Sequence, residues 1–176
     1  MTERIIIAGS GGQGIMLLGK ILSEAAMREN KFVTWLPAYG AEVRGGTSHC
    51  MVVISDKEIG SPNIEKADSL IIMNGPSLMR FKKRIKERGL LIINSSLASK
   101  YKNIKLNVLE QPFSDIAVGL GNIKVANMLA LGLFLAKKKV VSLKSVSEVI
   151  QAIAPDDKKA LVEINKKALE EGSGLK

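Results

Sequence analysis

Short runs of apolar residues alternate along this chain with stretches whose apolar positions recur every three to four residues. Ile5-Ile6-Ile7-Ala8 predicts a buried strand, and Ile15, Leu18, Leu22 and Ala25 predict a helix ending near Asn30. Phe32 to Leu36 is β-branched and aromatic enough for a second strand, which Pro37 should stop. Strands are predicted at His49 to Ile54, Ser69 to Met73, Leu90 to Ile93 and Leu106 to Leu109. Asp56, Lys57 and Glu58 predict a turn and Ser61-Pro62 a break, and Pro76 is placed to open a helix. Leu78, Phe81 and Ile85 would line that helix until Gly89 caps it. The last third reads as helical: Val125 to Ala136, Val146 to Ile153, and Asp156 to about Glu171, with Leu161, Ile164 and Ala168 on one face. Gly172-Ser173-Gly174 predicts that residues 170–176 form a flexible tail.

Strand–helix alternation implies a mainly parallel sheet covered on both faces. The expected architecture is therefore α/β: a Rossmann-like three-layer domain with a helical C-terminal third, in one unit over 1–176.

Between the first strand and the first helix lies Gly9-Ser10-Gly11-Gly12-Gln13-Gly14. Gly9, Gly11 and Gly14 match G-x-G-x-x-G, a pattern in which missing Cβ atoms permit positive φ, close ligand approach and tight packing. Amides at the helix start would face an anion and gain from the helix dipole. The same glycines would also serve a sharp turn that binds nothing. A dinucleotide site would place a carboxylate about 20 residues past the glycines, at the end of the second strand. Thr34, Trp35 and Leu36 stand there instead, which counts against ordinary dinucleotide binding.

Pro37 to Ser48 reads as a loop with three glycines, Gly40, Gly45 and Gly46, together with Glu42 and Arg44. The Arg44 guanidinium can fork onto a phosphate or carboxylate, or pair with Glu42 to hold the loop.

Composition narrows the chemistry. The sole cysteine, Cys50, excludes an internal disulfide and a cluster held by four cysteines of this chain, and the sole histidine, His49, leaves a metal site poorly supplied. Strand alternation puts the two on opposite faces in packing roles. A net charge of +9 gathers at Arg80, Lys82, Lys83, Arg84, Lys86 and Arg88 and at Lys137 to Lys139. Aromatics make up 4% and do not interleave with the basic residues, so nucleic acid is not expected as a partner; acidic proteins or phosphate-bearing cofactors fit better. Val125 to Ala136 is too short to cross a bilayer and no leader pattern opens the chain, so a soluble, cytoplasmic protein is expected, away from membranes.

Gly9 to Gly14, Tyr39-Gly40-Ala41-Glu42-Val43-Arg44-Gly45-Gly46, Ser61-Pro62, and Gly121-Asn122 with Asn127 to Gly132 together resemble the gamma subunit of 2-oxoacid:ferredoxin oxidoreductases over nearly the whole chain. The resemblance implies a gamma-type catalytic domain that works only beside alpha and beta subunits, with a ferredoxin-like delta subunit as a further candidate. It implies thiamine diphosphate-dependent oxidative decarboxylation of a 2-oxoacid to its acyl-coenzyme A, with electrons passing through iron–sulfur clusters to ferredoxin. Thiamine diphosphate, magnesium and the clusters would sit in the partners, since this sequence has no G-D-G with a downstream asparagine and no cysteine set. Coenzyme A is the implied co-substrate. The resemblance carries over Gly11, Gly12, Gln13 and Gly14 as the turn, and Tyr39, Glu42, Arg44, Gly45 and Gly46 as a loop facing the active site or a partner. It leaves the 2-oxoacid open, with 2-oxoglutarate ahead of pyruvate. Two other readings stand beside it: a stand-alone nucleotide-binding dehydrogenase-like domain, and a non-catalytic basic docking scaffold.

Overall fold

The computed structural model of the chain describes residues 1–39, 47–154 and 159–176, with the side chains of Tyr39 and Lys159 left aside. Six strands form one sheet in the order β2-β3-β1-β4-β5-β6. They are β1 (Thr2–Ser10), β2 (Phe32–Tyr39), β3 (Thr47–Ser55), β4 (Ala67–Ile72), β5 (Ile85–Asn94) and β6 (Asn107–Gln111). β1, β4, β5 and β6 run parallel; β3 lies antiparallel between β1 and β2. The expected mainly parallel α/β sheet is thus present, with one reversed strand inserted. Only residues 40–46 separate β2 from β3, fewer than the dozen or so that a parallel crossover needs, and so short a connection favours antiparallel pairing.

Alternating residues of the strands feed two cores. Ile5, Ile7, Cys50, Val52, Ile71 and Ile92 meet α1 (Ile15–Arg28), α3 (Phe113–Gly119), α4 (Ala126–Lys138), α5 (Leu143–Ile153) and α6 (Lys159–Gly174). Ile6, Ala8, Met51, Val53, Leu70, Ile72, Leu91 and Ile93 meet Leu78 and Phe81 of α2 (Gly75–Phe81) on the other face. The layers are therefore unequal, one thick and helical, the other a single short helix with loop residues.

Several expected boundaries move. Pro37 does not end β2, which continues to Tyr39 with Pro37 opposite Cys50. β2 is an edge strand, so a missing amide donor on its outer side costs no ladder bond. The helix opened by Pro76 ends at Phe81, and Ile85 and Gly89 belong to β5. There the pairing with β4 shifts register and Arg88 takes a positive φ of 61°, so the segment is an irregular strand start. Gly89 is needed for closeness, because a Cβ would lie 2.6 Å from Ile85 Cγ1. α3 has no counterpart among the predicted elements, although Phe113, Ile116, Ala117 and Leu120 carry helical spacing after Pro112.

The predicted flexible tail is helix instead. α6 runs through Gly174, and a Cβ on Gly172 would lie 2.1 Å from the Leu129 carbonyl oxygen, while one on Gly132 would lie 2.1 Å from that of Leu169. Two glycines let the backbones of α4 and α6 touch, and that contact holds the last turns in place. Pro155, Asp156 and Asp157, read as the break before this helix, lie outside the described residues.

Candidate functional site

β1 and β4 are adjacent and parallel, with Ala8 opposite Ile72, yet the helices that follow them depart to opposite faces. That divergence makes the carboxyl ends of the two strands a topological switch point, the place where open α/β sheets bind ligands. The glycine turn follows β1 there, and Met73-Asn74-Gly75 follows β4.

The four motif glycines divide into two kinds. At Gly9 a Cβ would lie 2.5 Å from Gln13 Oε1 and 2.8 Å from Ile15 Cδ1. Gly14, the N-cap of α1 with φ 71°, would place its Cβ 2.3 Å from Asn127 Nδ2. Both are glycine because neighbours fill the space. Gly11 and Gly12 face nothing within 4 Å, and Gly12 has φ 89°. These two present bare, exposed backbone in front of a helix whose N-terminus has no side-chain cap and no acid in its first turn. Such a terminus attracts anions.

Gln13 is engaged within the protein. Its Oε1 accepts from the Ser10 amide at 2.7 Å and from Ser10 Oγ at 3.1 Å, and its Nε2 donates to the Met73 carbonyl at 3.1 Å. The side chain is a latch between the turn and the end of β4. Asn94, at the end of β5, donates to the same Met73 carbonyl at 3.3 Å and to Ser114 Oγ at 2.9 Å. Asn127 Nδ2 donates to the Gly14 carbonyl at 3.1 Å. Sequence reasoning missed Asn94 and Ser114 as parts of this network; a polar residue closing the apolar run Leu90 to Ile93, at a strand's carboxyl end, was the available signal.

Gly40, Glu42, Arg44, Gly45 and Gly46 of the arginine-bearing loop lie outside the described residues. Tyr39 is placed by its backbone alone, as the last residue of β2 opposite Ser48. Trp35, at the position of the missing ribose carboxylate, packs against α1: a Cβ on Gly19 would lie 3.0 Å from its Nε1 and 2.5 Å from Cys50 Sγ. Burial pushes the Cys50 thiol up to about 12, despite a hydrogen bond with Trp35, so Cys50 is an inert packing group. His49 faces the opposite layer, its ring 4.8 Å from that of Phe81. Burial, then the charges of Arg80 and Arg84, hold its imidazole below its usual range.

A mixed α/β sheet with an uncapped glycine turn at its switch point defines an open, Rossmann-like α/β domain. The model of the pyruvate ferredoxin/flavodoxin oxidoreductase family matches residues 4–175, and the chain belongs to that family. It is 36% identical over 171 residues to ketoisovalerate oxidoreductase subunit VorA of Methanothermobacter marburgensis, a match covering 97% of this chain but only 36% of that protein. It is 35% identical over 159 residues to 2-oxoglutarate synthase subunit KorC of Methanocaldococcus jannaschii, covering 88% of this chain and 85% of that one. The solved gamma subunit of a keto/oxoacid ferredoxin oxidoreductase from Geobacter sulfurreducens superposes with a TM-score of 0.83 at 30% identity, covering 97% of this chain and 95% of that subunit. Among the described residues, no helix is long and apolar enough to cross a membrane.

Proposed function

We propose that this chain is the gamma subunit of a cytoplasmic 2-oxoacid:ferredoxin oxidoreductase and that Gly11 and Gly12 contribute to its handling of coenzyme A. The observation that carries the second part is the open backbone at these two glycines, set before an uncapped helix N-terminus. Such a terminus suits the diphosphate of coenzyme A. Trp35 packed where a ribose carboxylate would stand weighs against the dehydrogenase-like alternative.

In this reading alpha and beta subunits, with a ferredoxin-like delta subunit where one exists, hold thiamine diphosphate, magnesium and iron–sulfur clusters and pass electrons to ferredoxin. The described residues include no group of three or more His, Cys, Asp or Glu able to hold a metal. Its own work is to bind and to position. Tyr39, Glu42, Arg44, Gly45 and Gly46 are proposed, on their sequence motif, as the loop facing the partner or ligand. 2-Oxoglutarate is favoured as the 2-oxoacid by the near full-length match to the KorC subunit, which this chain covers to 85%.

The test is the assembled enzyme with Gly11→Ala. Gly11 has no positive φ and its added Cβ meets nothing within 4 Å, so folding and assembly should be untouched. The KM for coenzyme A should rise by about threefold or more while that for the 2-oxoacid holds. Equal effects on both substrates, or none on either, would reduce the turn to architecture. Turnover of 2-oxoacid by the isolated chain would defeat the subunit reading itself.

A further inference from the structure

Thr47, the first residue of β3, pairs in register with Ser10, the residue before Gly11. It therefore stands beside the glycine turn on the thinly covered face of the sheet. Arg80, from the end of α2, donates from Nη1 to Thr47 Oγ1 at 2.5 Å, its one acceptor among the described residues. His49 lies two residues further along the same face. It is 8% exposed, and its Nδ1 has no partner among the described residues. Arg80 and Arg84 lie 5.3 and 5.7 Å from the centre of the Phe81 ring that His49 also contacts. Arg84 is committed to the carbonyls of Ile64 and Glu65, whereas Arg80 is exposed and in no ion pair among the described residues.

We propose that Arg80, Thr47 and His49 form an anion subsite that takes a phosphate monoester beside the Gly11–Gly12 turn. A guanidinium offers several N–H groups in a planar fork, and one neutral hydroxyl uses little of that capacity. Thr47 Oγ1, having accepted from Arg80, keeps its own proton to donate. His49 adds a ring whose buried, unpartnered nitrogen carries a desolvation cost until something charged or polar offsets it. The Arg80 fork, the Thr47 hydroxyl and the His49 ring lie along one face, and three donors suit the three terminal oxygens of a phosphate monoester better than the two of a carboxylate. The subsite rests on the coenzyme A reading only for the identity of the ester. Coenzyme A bears one monoester besides its diphosphate, both on the same ribose, so the subsite would take the first beside a turn that takes the second.

The chain contains one histidine, so its imidazole gives a single Hε1 resonance in the full-length protein. That resonance is titrated against pH in chloride and in inorganic phosphate at equal ionic strength. Phosphate should raise the His49 midpoint by about half a pH unit or more, because a nearby anion favours the imidazolium. The rise should vanish in Arg80→Gln, shrink in Arg80→Lys and Thr47→Val, and persist in Lys137→Gln. With coenzyme A the rise should appear at roughly tenfold lower concentration than with dephospho-coenzyme A, which lacks the monoester. No rise in the native chain, an equal rise in Arg80→Gln and Lys137→Gln marking an adventitious ion only, or equal potency of the two coenzymes would each overturn the subsite. Should Arg80→Gln fail to fold, Arg80→Lys and Thr47→Val carry the comparison. Failure of partner subunits to assemble would sink the gamma reading and leave the phosphate response standing.

Discussion

Asn127 Nδ2 donates to the Gly14 carbonyl at 3.1 Å, tying the first turn of α4 to the left-handed cap of α1 across 113 positions of sequence. The same contact explains why residue 14 is glycine, since a Cβ there would sit 2.3 Å from that nitrogen. Gly14→Ala must therefore displace Asn127 and adopt a strained φ, at a cost of about 2–3 kcal/mol. Gly11→Ala, with open space around it, should stay within about 0.5 kcal/mol of the native chain. Urea unfolding of the two variants checks this, and equal midpoints would show that the latch carries no energy.

The crossing of α4 and α6 gives a second test. A Cβ on Gly172 meets backbone, the Leu129 carbonyl oxygen at 2.1 Å, which no rotamer change relieves. Gly172→Ala should cost about 3 kcal/mol or more and lower Tm by roughly 10 °C. Gly174→Ala, with nothing within 4 Å, is the matched control and should be neutral. A Gly172→Ala chain that melts like the control would restore a tail that does not dock.

Cys50 should resist thiol reagents. With its pKa pushed up to about 12 by burial, the thiolate fraction at about pH 8 is negligible. Labelling by a chromogenic disulfide should reach one equivalent in urea and remain near zero in the native protein. Fast native labelling would place Cys50 at an accessible surface.

His49 predicts a pH dependence of stability. Its folded imidazole resists protonation, chiefly through burial and secondarily through Arg80 and Arg84, so the unfolded chain takes up the proton first as pH falls. The native state keeps its full stability from this group above about pH 6.5, the unfolded value, and loses it as pH drops below that toward the lower folded midpoint. Unfolding midpoints in chloride buffers at about pH 7.5 and about pH 5.5 should therefore diverge more in the native chain than in His49→Gln. Parallel profiles would show that the histidine titrates alike in both states.

What the sequence alone determined was local in origin. The run Ile5 to Ala8, the glycines after it and the helical spacing of Ile15, Leu18, Leu22 and Ala25 placed the first strand, turn and helix, because burial periodicity and backbone permissiveness are written within a few residues. The same locality put His49 and Cys50 on opposite faces. Only the tertiary structure decided which glycines are filled by neighbours and which stand open, since Asn127 reaches Gly14 from far along the chain. It also decided that Gln13 latches onto Met73, that Pro37 is tolerated at a sheet edge, and that Gly172 continues a helix instead of ending one. Each of these depends on a surface supplied by a distant segment, and spacing along the chain holds no record of where that surface will lie.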